Sequence, residues 1–225
     1  MINVARVFAS IQGEGIYMGA PTIFVRLRGC NLKCIWCDTK YARKKGKGHE
    51  VDEGDVVEEI AGLPYCSWID ITGGEPLIQD IDLLVRMIKE RFSVREIMVE
   101  TNGTIMPSRY LFHNVDFWSV SPKLSNSGER ESLRMDVLKE FALHDNRQFK
   151  FVIDNPEKDI AEVFELLVGL RFYRLHNVVL QPQGYKDQLE LMRQMQVILA
   201  DKYEHKAYRI LPQLHVLLYG HKKGI

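Results

Sequence analysis

The sequence predicts an α/β fold: a reduced, open (β/α) barrel of about six parallel strands. Three observations carry this reading. Short apolar runs alternate with longer runs of helical spacing, the pattern of repeated β-α units around a parallel sheet. Polar clusters recur just past the ends of the apolar runs, where barrel-like folds build their sites. The chain has 225 residues, short of the ~250 usual for an eightfold barrel, and its helices look fewer than its strands.

The elements follow in order. Thr22 to Leu27 reads as a strand leading into a cysteine-rich loop. A helix starts across Asp55 to Ile60, with Asp55 in its N-cap region. Ser67 to Thr72 is an apolar strand. Asp80 to Arg91 has helical spacing, with Leu83, Leu84, Met87 and Ile88 on one face. Glu96 to Glu100 is a strand ending in the turn former Asn102-Gly103. Asp116 to Val120, Gln148 to Ile153, Asn177 to Leu180 and Tyr208 to Leu211 are further strands. Helices cover Leu133 to Leu143, Pro156 to Leu170 with proline near the start, and Leu189 to Leu199.

Composition narrows the class. The chain is 46% hydrophobic and 27% charged, with Lys and Arg balanced by Asp and Glu to a net charge of zero. That is ordinary globular composition, and it offers no general attraction for nucleic acid. No apolar run reaches the ~18 residues needed to span a bilayer. The first residues lack the charged-then-apolar pattern of a targeting peptide, and bunched cysteines fit a reducing compartment. The expectation is a cytoplasmic enzyme that binds neither nucleic acid nor membrane.

Three of the four cysteines, Cys30, Cys34 and Cys37, fall in one short string. Three thiolates so close can face one inorganic centre, yet they are one short of a closed tetrahedral zinc site. A four-iron cluster held by three cysteines keeps one iron open for an exogenous ligand. A zinc site completed by His49 or Cys66 lacks a recognisable paired spacing. Cys66, alone before an apolar strand, reads as a small core residue.

Polar clusters sit after four expected strands: Thr72-Gly73-Gly74-Glu75, Glu100-Thr101-Asn102, Ser121-Pro122-Lys123 and Gln181-Pro182. Any one of them could be an ordinary turn; their recurrence favours one pocket. Two glycines let backbone approach a ligand closely. Glu75 can then accept from a ligand ammonium, and Pro76 stiffens the exit.

The string CxxxCxxC with Trp36 before its last cysteine, followed by Thr72-Gly73-Gly74-Glu75-Pro76, resembles the signature of the radical S-adenosylmethionine (SAM) superfamily. With Ser10-Ile11-Gln12-Gly13-Glu14-Gly15, Cys37-Asp38-Thr39 and Pro212-Gln213-Leu214-His215, the chain is similar to the 7-carboxy-7-deazaguanine synthase family from about Phe8 onward. Ala9 departs from the acidic residue or tyrosine that relatives often carry there.

The resemblance implies a lyase with a [4Fe–4S] cluster on Cys30, Cys34 and Cys37, SAM and Mg²⁺. It would convert 6-carboxy-5,6,7,8-tetrahydropterin to 7-carboxy-7-deazaguanine and ammonia, in queuosine or archaeosine biosynthesis. It implies SAM contacts from Trp36, Cys37, Asp38, Gly73, Gly74 and Glu75, and from Ser121, Pro122, Lys123, Gln181, Pro182, Gln183 and Gly184. Substrate contacts would come from Ile11, Gln12, Gly13, Glu14, Arg26, Thr72, His215 and the terminal Ile225, and the Mg²⁺ contact from Thr39. Residues 1–225 would form one domain: a substrate-binding hairpin over 1–20, a partial barrel over 22–211 and a capping tail over 212–225.

The residue chemistry agrees with these roles. Arg26 offers a fork suited to a carboxylate. Glu14 can accept two donors on an amino-pyrimidine edge, and a hydroxyl such as Thr39 suits a hard cation. A homodimer and a flavodoxin or ferredoxin electron donor are implied as well. The basic stretch Arg43-Lys44-Lys45-Gly46-Lys47 is expected to be a solvated loop, or else a dock for an acidic donor. The competing functions are a glycyl-radical enzyme activase and a non-enzymatic zinc or iron–sulfur module.

Overall fold

A computed structural model describes residues 1–44, 50–171, 177–203 and 208–220. Its strands are β1 (Ile2–Ile11), β2 (Pro21–Leu27), β3 (Glu50–Val51), β4 (Trp68–Gly73), β5 (Glu96–Thr101), β6 (Phe117–Val120), β7 (Arg147–Ile153), β8 (Val178–Pro182) and β9 (Arg209–Ile210). The helices are α1 (Glu53–Ala61), α2 (Asp82–Arg91), α3 (Arg109–Asn114), α4 (Met135–Leu143), α5 (Pro156–Gly169), α6 (Gln188–Lys202) and α7 (Leu214–Tyr219).

Among the described residues the strands form one sheet in the order β3-β1-β2-β4-β5-β6-β7-β8-β9. From β2 to β9 every neighbouring pair is parallel. β1 is antiparallel to both β2 and β3. The end strands β3 and β9 do not pair, so the barrel stays open. The parallel part is six strands of four residues or more, closed off by the two-residue β9.

Alternation along these strands creates the site. Ile69 and Ile71, Ile97 and Val99, Trp118 and Val120, and Phe149 and Phe151 point one way, into the core under the helices. The intervening residues point to the concave side and are largely polar: Arg26, Asp70, Thr72, Glu100, Ser119, Gln148, Lys150 and Gln181. Parallel sheets are usually apolar on both faces, so a polar concave face signals function.

Several expected boundaries change. α1 starts at Glu53, and its cap is Asp52, whose carboxylate accepts from Gly54 N at 2.8 Å. Asp55 is already inside the first turn. In α2 the buried face is Leu84, Val85 and Ile88, while Leu83 is 50% exposed, because the helix beds between α1 and α3. Residues 1–20 are not a hairpin by themselves. β1 is the first arm, β2 of the barrel is the second, and the loop between them folds back across the barrel. Its Tyr17 packs on Trp68 and Phe117, with ring centroids 4.4 and 4.8 Å apart.

The sequence reading also missed β1 as a strand, the two-residue β3, and the six-residue helices α3 and α7. Lys45, Lys47, His49 and Ile225 lie outside the described residues.

Candidate active site

The cysteine loop leaves the end of β2 and is held mainly by backbone. Gly29 N donates to Ala42 O at 2.7 Å, Cys30 N to Arg43 O at 3.0 Å, Cys37 N to Cys34 O at 3.3 Å and Ile35 N to Ser127 O at 3.0 Å. Trp36 Nε1 donates to Asn126 Oδ1 at 3.0 Å, tying the loop to the segment after β6. All three thiols are free and line one cavity of about 460 Å³. Burial pushes the Cys30 and Cys34 thiols up from their ordinary value. A metal cluster, which binds thiolate, relieves that cost. Cys66 sits apart, buried in the apolar core.

The glycine pair serves this loop. A Cβ on Gly73, whose φ is +133°, would lie 2.1 Å from Leu27 O. One on Gly74 would lie 1.9 Å from Gly29 O and 3.1 Å from Cys30 Cβ. The end of β4 therefore presses against the backbone that launches the cysteines, and only glycine permits that approach. Both glycines also line the cavity.

Glu75 has a different place from the one expected. Its carboxylate is fully buried, off the cavity wall, and accepts from Thr101 Oγ1 at 2.8 Å, Asn102 N at 2.6 Å and Leu77 N at 3.2 Å. It pins β5 to the glycine turn and does not present itself to a ligand ammonium. Pro122 and Pro182 likewise do not line the cavity.

The concave floor is a charged network. Lys150, on β7, is hydrogen-bonded to Glu14 Oε2 and lies 3.6 Å from Glu100 Oε1. Gln213 Nε2 donates to Glu14 Oε1 at 2.6 Å. Thr72 Oγ1 donates to Glu100 Oε2 at 2.8 Å. Burial opposes the Glu14 charge, but Lys150 and then His215 override it and hold this carboxyl well below the usual range. Burial also opposes the Lys150 ammonium, and Glu100 and Glu14 keep it charged. Asp70, beneath them, is raised well above its ordinary value by burial and then by Glu100.

Gln12 belongs to this network rather than standing free for substrate. Its Nε2 donates to Asp70 Oδ2 at 2.8 Å, and its Oε1 accepts from Glu14 N at 3.1 Å. Its main chain bonds Ala20 and Gly19. Arg26 is the contrasting group. Its guanidinium stands 5.8 Å over the Phe8 ring, its Nε is buried without an acceptor, and it forms no ion pair among the described residues.

Around the rim the structure gathers the remaining expected residues. Ile11, Asp38, Thr39, Ser121, Lys123, Gln183 and Gly184 line the cavity. Lys123 Nζ donates to Ser121 Oγ at 2.9 Å and stands 5.5 Å over the Trp36 ring. Gln181 also lines it, fully buried, its side chain turned to the Glu14 carboxylate but with neither amide atom in good hydrogen-bond geometry. An amide so placed fits a polar ligand. Thr39 occupies a capping position, but its hydroxyl makes no cap and donates to Asp38 Oδ1 at 2.8 Å. Asp38, Glu14 and His215 bring polar atoms within 4.8 Å of one another. His215 lies flat on Gly13, where a Cβ would meet its Nδ1 at 2.1 Å, and Leu214 N donates to Gly13 O at 2.8 Å.

The sequence reading missed Asp70, Glu100 as a side chain of the floor, Lys150, Gln148, Phe8, Phe24 and Tyr185. A signal was present for some of them. Asp70 and Thr72, Met98 and Glu100, and Gln148 and Lys150 each mark alternate positions of otherwise apolar strands.

Comparison with known proteins places these features in a family. Residues 24–123 match the family model described as the radical SAM superfamily. The chain is 34% identical to the 7-carboxy-7-deazaguanine synthase of Pyrobaculum aerophilum, over 99% of this chain and 97% of that protein. It is 34% identical to that of Thermoplasma acidophilum, over 99% of both. Among solved structures, QueE from Escherichia coli superposes with a TM-score of 0.73 at 28% identity, covering 95% of this chain and 94% of that one.

Proposed function

The chain belongs to the 7-carboxy-7-deazaguanine synthase family of radical SAM enzymes, and we propose that its cavity contracts 6-carboxy-5,6,7,8-tetrahydropterin to 7-carboxy-7-deazaguanine with loss of ammonia. The observation that carries this is Arg26. Of the described cations on the cavity wall, Lys150 is taken by carboxylates and Lys123 lies by Ser121 and Trp36, while Arg26 and Arg43 form no ion pair among the described residues; of these two, Arg26 sits on β2 beside Thr72 of the floor. A planar fork in a partly buried wall suits a carboxylate-bearing substrate.

Cys30, Cys34 and Cys37 would hold the [4Fe–4S] cluster, which with SAM supplies the one-electron chemistry that starts such reactions. SAM would lie along the rim formed by Ser121, Lys123, Gln183 and Gly184, with Gln181 beside it. Glu14 stays ionised and retains lone pairs beyond those used by Lys150 and Gln213, so it can accept from the amino-pyrimidine edge. His215 and Thr72 border the same space.

Mg²⁺ belongs at Thr39, whose uncapped hydroxyl leaves its lone pairs open to a hard cation. Thr39→Ala should weaken the Mg²⁺ dependence of turnover with the cluster spectrum unchanged; an unaltered Mg²⁺ response would remove this assignment. The reading also takes a flavodoxin or ferredoxin as electron donor, and a homodimer in the cytoplasm.

The test is direct. Anaerobically reconstituted protein is incubated with SAM, reductant, Mg²⁺ and the carboxypterin, and the deazaguanine is sought by mass. Iron–sulfur loading and SAM cleavage without that product would favour a glycyl-radical activase. Zinc in place of iron would favour a binding module.

A further inference from the structure

Nothing in the family signature or the expected contacts assigns a role to Lys150. It lies mid-strand in Gln148-Phe149-Lys150-Phe151 and is 5% exposed, far from where a lysine normally sits. Its ammonium reaches two carboxylates delivered from opposite directions. Glu14 comes from the loop after β1, and Glu100 from the end of β5. Each carboxylate carries a further donor, Gln213 on Glu14 and Thr72 on Glu100, and Gln181 also faces Glu14. Each also keeps acceptor capacity facing the cavity.

The remaining charges make the ammonium necessary. Glu14, Glu100 and Asp70 crowd one floor, with His215 and Asp38 facing Glu14 from the rim. Without Lys150 the cations left to act on this floor are His215, facing Glu14, and Arg26, acting on Asp70. Two carboxylates lacking a partner would then draw in that guanidinium, or one of them would take up a proton.

We propose that Lys150 is a positioning residue for the substrate. It fixes Glu14 and Glu100 as a matched pair of acceptors for the donors of the ring, and so leaves Arg26 free for the substrate carboxylate. This rests on the function proposed above and deepens it. The division of labour follows from cation chemistry. A compact ammonium with three donors can serve two separate carboxylates, whereas the planar guanidinium suits the single carboxylate of a ligand.

The experiment has two arms on one set of proteins: wild type, Lys150→Met, Lys150→Arg and the charge-balanced Glu100→Gln/Lys150→Met. The first arm follows glutamate carboxyl carbons by ¹³C NMR across about pH 6 to pH 9. In wild type and Lys150→Arg, Glu14 should not titrate there. In Lys150→Met it should, and in the double variant, where Glu14 is still buried without its ammonium, it should as well. The second arm measures carboxypterin binding to cluster-loaded protein with SAM. Lys150→Met should weaken it by about 100-fold near neutral pH, as expected when one partner of a buried charge pair is removed. The loss should shrink as pH rises and ionises the carboxyl. Lys150→Arg should bind with no such pH dependence.

Should Lys150→Met fail to fold, the double variant carries both arms. It should then bind with the same pH-dependent loss, and a Glu14 that stays flat in it would count against the proposal. A Lys150→Met protein with flat carboxyls and near-wild-type binding would overturn the proposal. Wild type that does not bind the pterin would overturn the functional reading instead, and the NMR arm would still decide what Lys150 does.

Discussion

In the cysteine loop, backbone meets backbone: Gly29, Cys30, Ile35 and Cys37 are all placed by main-chain bonds. Across the floor of the same cavity, side chain meets side chain. Lys150 of β7, Glu100 of β5, Asp70 and Thr72 of β4, and Gln12 and Glu14 of the loop after β1 are placed by one another. The difference shows how each part tolerates change. A loop fixed by its own backbone keeps its path when a side chain is cut back, but it cannot absorb added volume at a glycine. A floor fixed by charges absorbs no unbalanced loss of charge, because each partner left behind is buried and alone.

The largest expected effect comes from removing what the loop exists to present. Cys34→Ala should abolish cluster binding and SAM cleavage while the fold persists. Cys66→Ala should retain both, at the modest stability cost of a small core cavity. Iron content and the visible spectrum check this, and an intact cluster in Cys34→Ala would sink the assignment of the triplet.

Next comes Arg26, which forms no ion pair among the described residues. Arg26→Ala should raise the substrate KM by roughly two orders of magnitude, with SAM still bound. Arg26→Lys should recover part of that, since an ammonium cannot form the fork. A near-wild-type KM in Arg26→Ala would mean the carboxylate is read elsewhere.

Gly74→Ala sharpens the contrast from the loop side. The new methyl would lie 1.9 Å from Gly29 O, so backbone must move, at about 1–3 kcal/mol. Denaturant midpoint and iron uptake should fall together. Loss of stability with full iron uptake would show that β4 and the cysteine loop are less tightly coupled than their packing implies.

The smallest effect is at Asp70. Its carboxyl is raised above its ordinary value of 3.8 by burial, so the folded protein holds a proton there that the unfolded chain releases near that value. Its unfavourable contribution is therefore greatest above the folded pKa and fades as pH falls toward 3.8. Asp70→Asn keeps an acceptor for Gln12 and should raise stability by about 1–2 kcal/mol at pH 8, with the gain vanishing near pH 4. A gain that is the same at both pH values would show that Asp70 is not the titrating group.

Legibility followed the same division. The cysteines are contiguous in sequence, so a local reading finds them, along with Trp36 and the glycine pair. The α/β class and the open barrel were legible because strand and helix periodicity survive in single segments. The reason for Gly73 and Gly74 was not: they make room for Leu27 and Gly29, a contact between distant segments. Glu75 was read as a ligand contact because polar residues in a motif invite that. It turns inward because buried backbone needed a partner, while Gln12 lines the cavity and also holds Asp70. Lys150 and Glu100 were passed over as single polar residues in apolar strands, since only the sheet register shows that they share a face. β1 escaped notice because its alternation is weak at its exposed positions, and α3 and α7 because six residues give too little periodicity.

The bond between Gln213 and Glu14 joins residues 199 apart in the chain. During vectorial synthesis, at about 5–20 residues per second, that contact arrives on the order of ten seconds or more after Glu14 has left the ribosome. The cysteine loop, by contrast, needs partners no later than Ser127 and Glu129. A nascent chain thus presents its three thiols well before the substrate floor is closed. The order of translation gives metallation a head start over pterin capture, and a message truncated before Gln213 would yield a chain able to take up iron but missing the last brace of its substrate pocket.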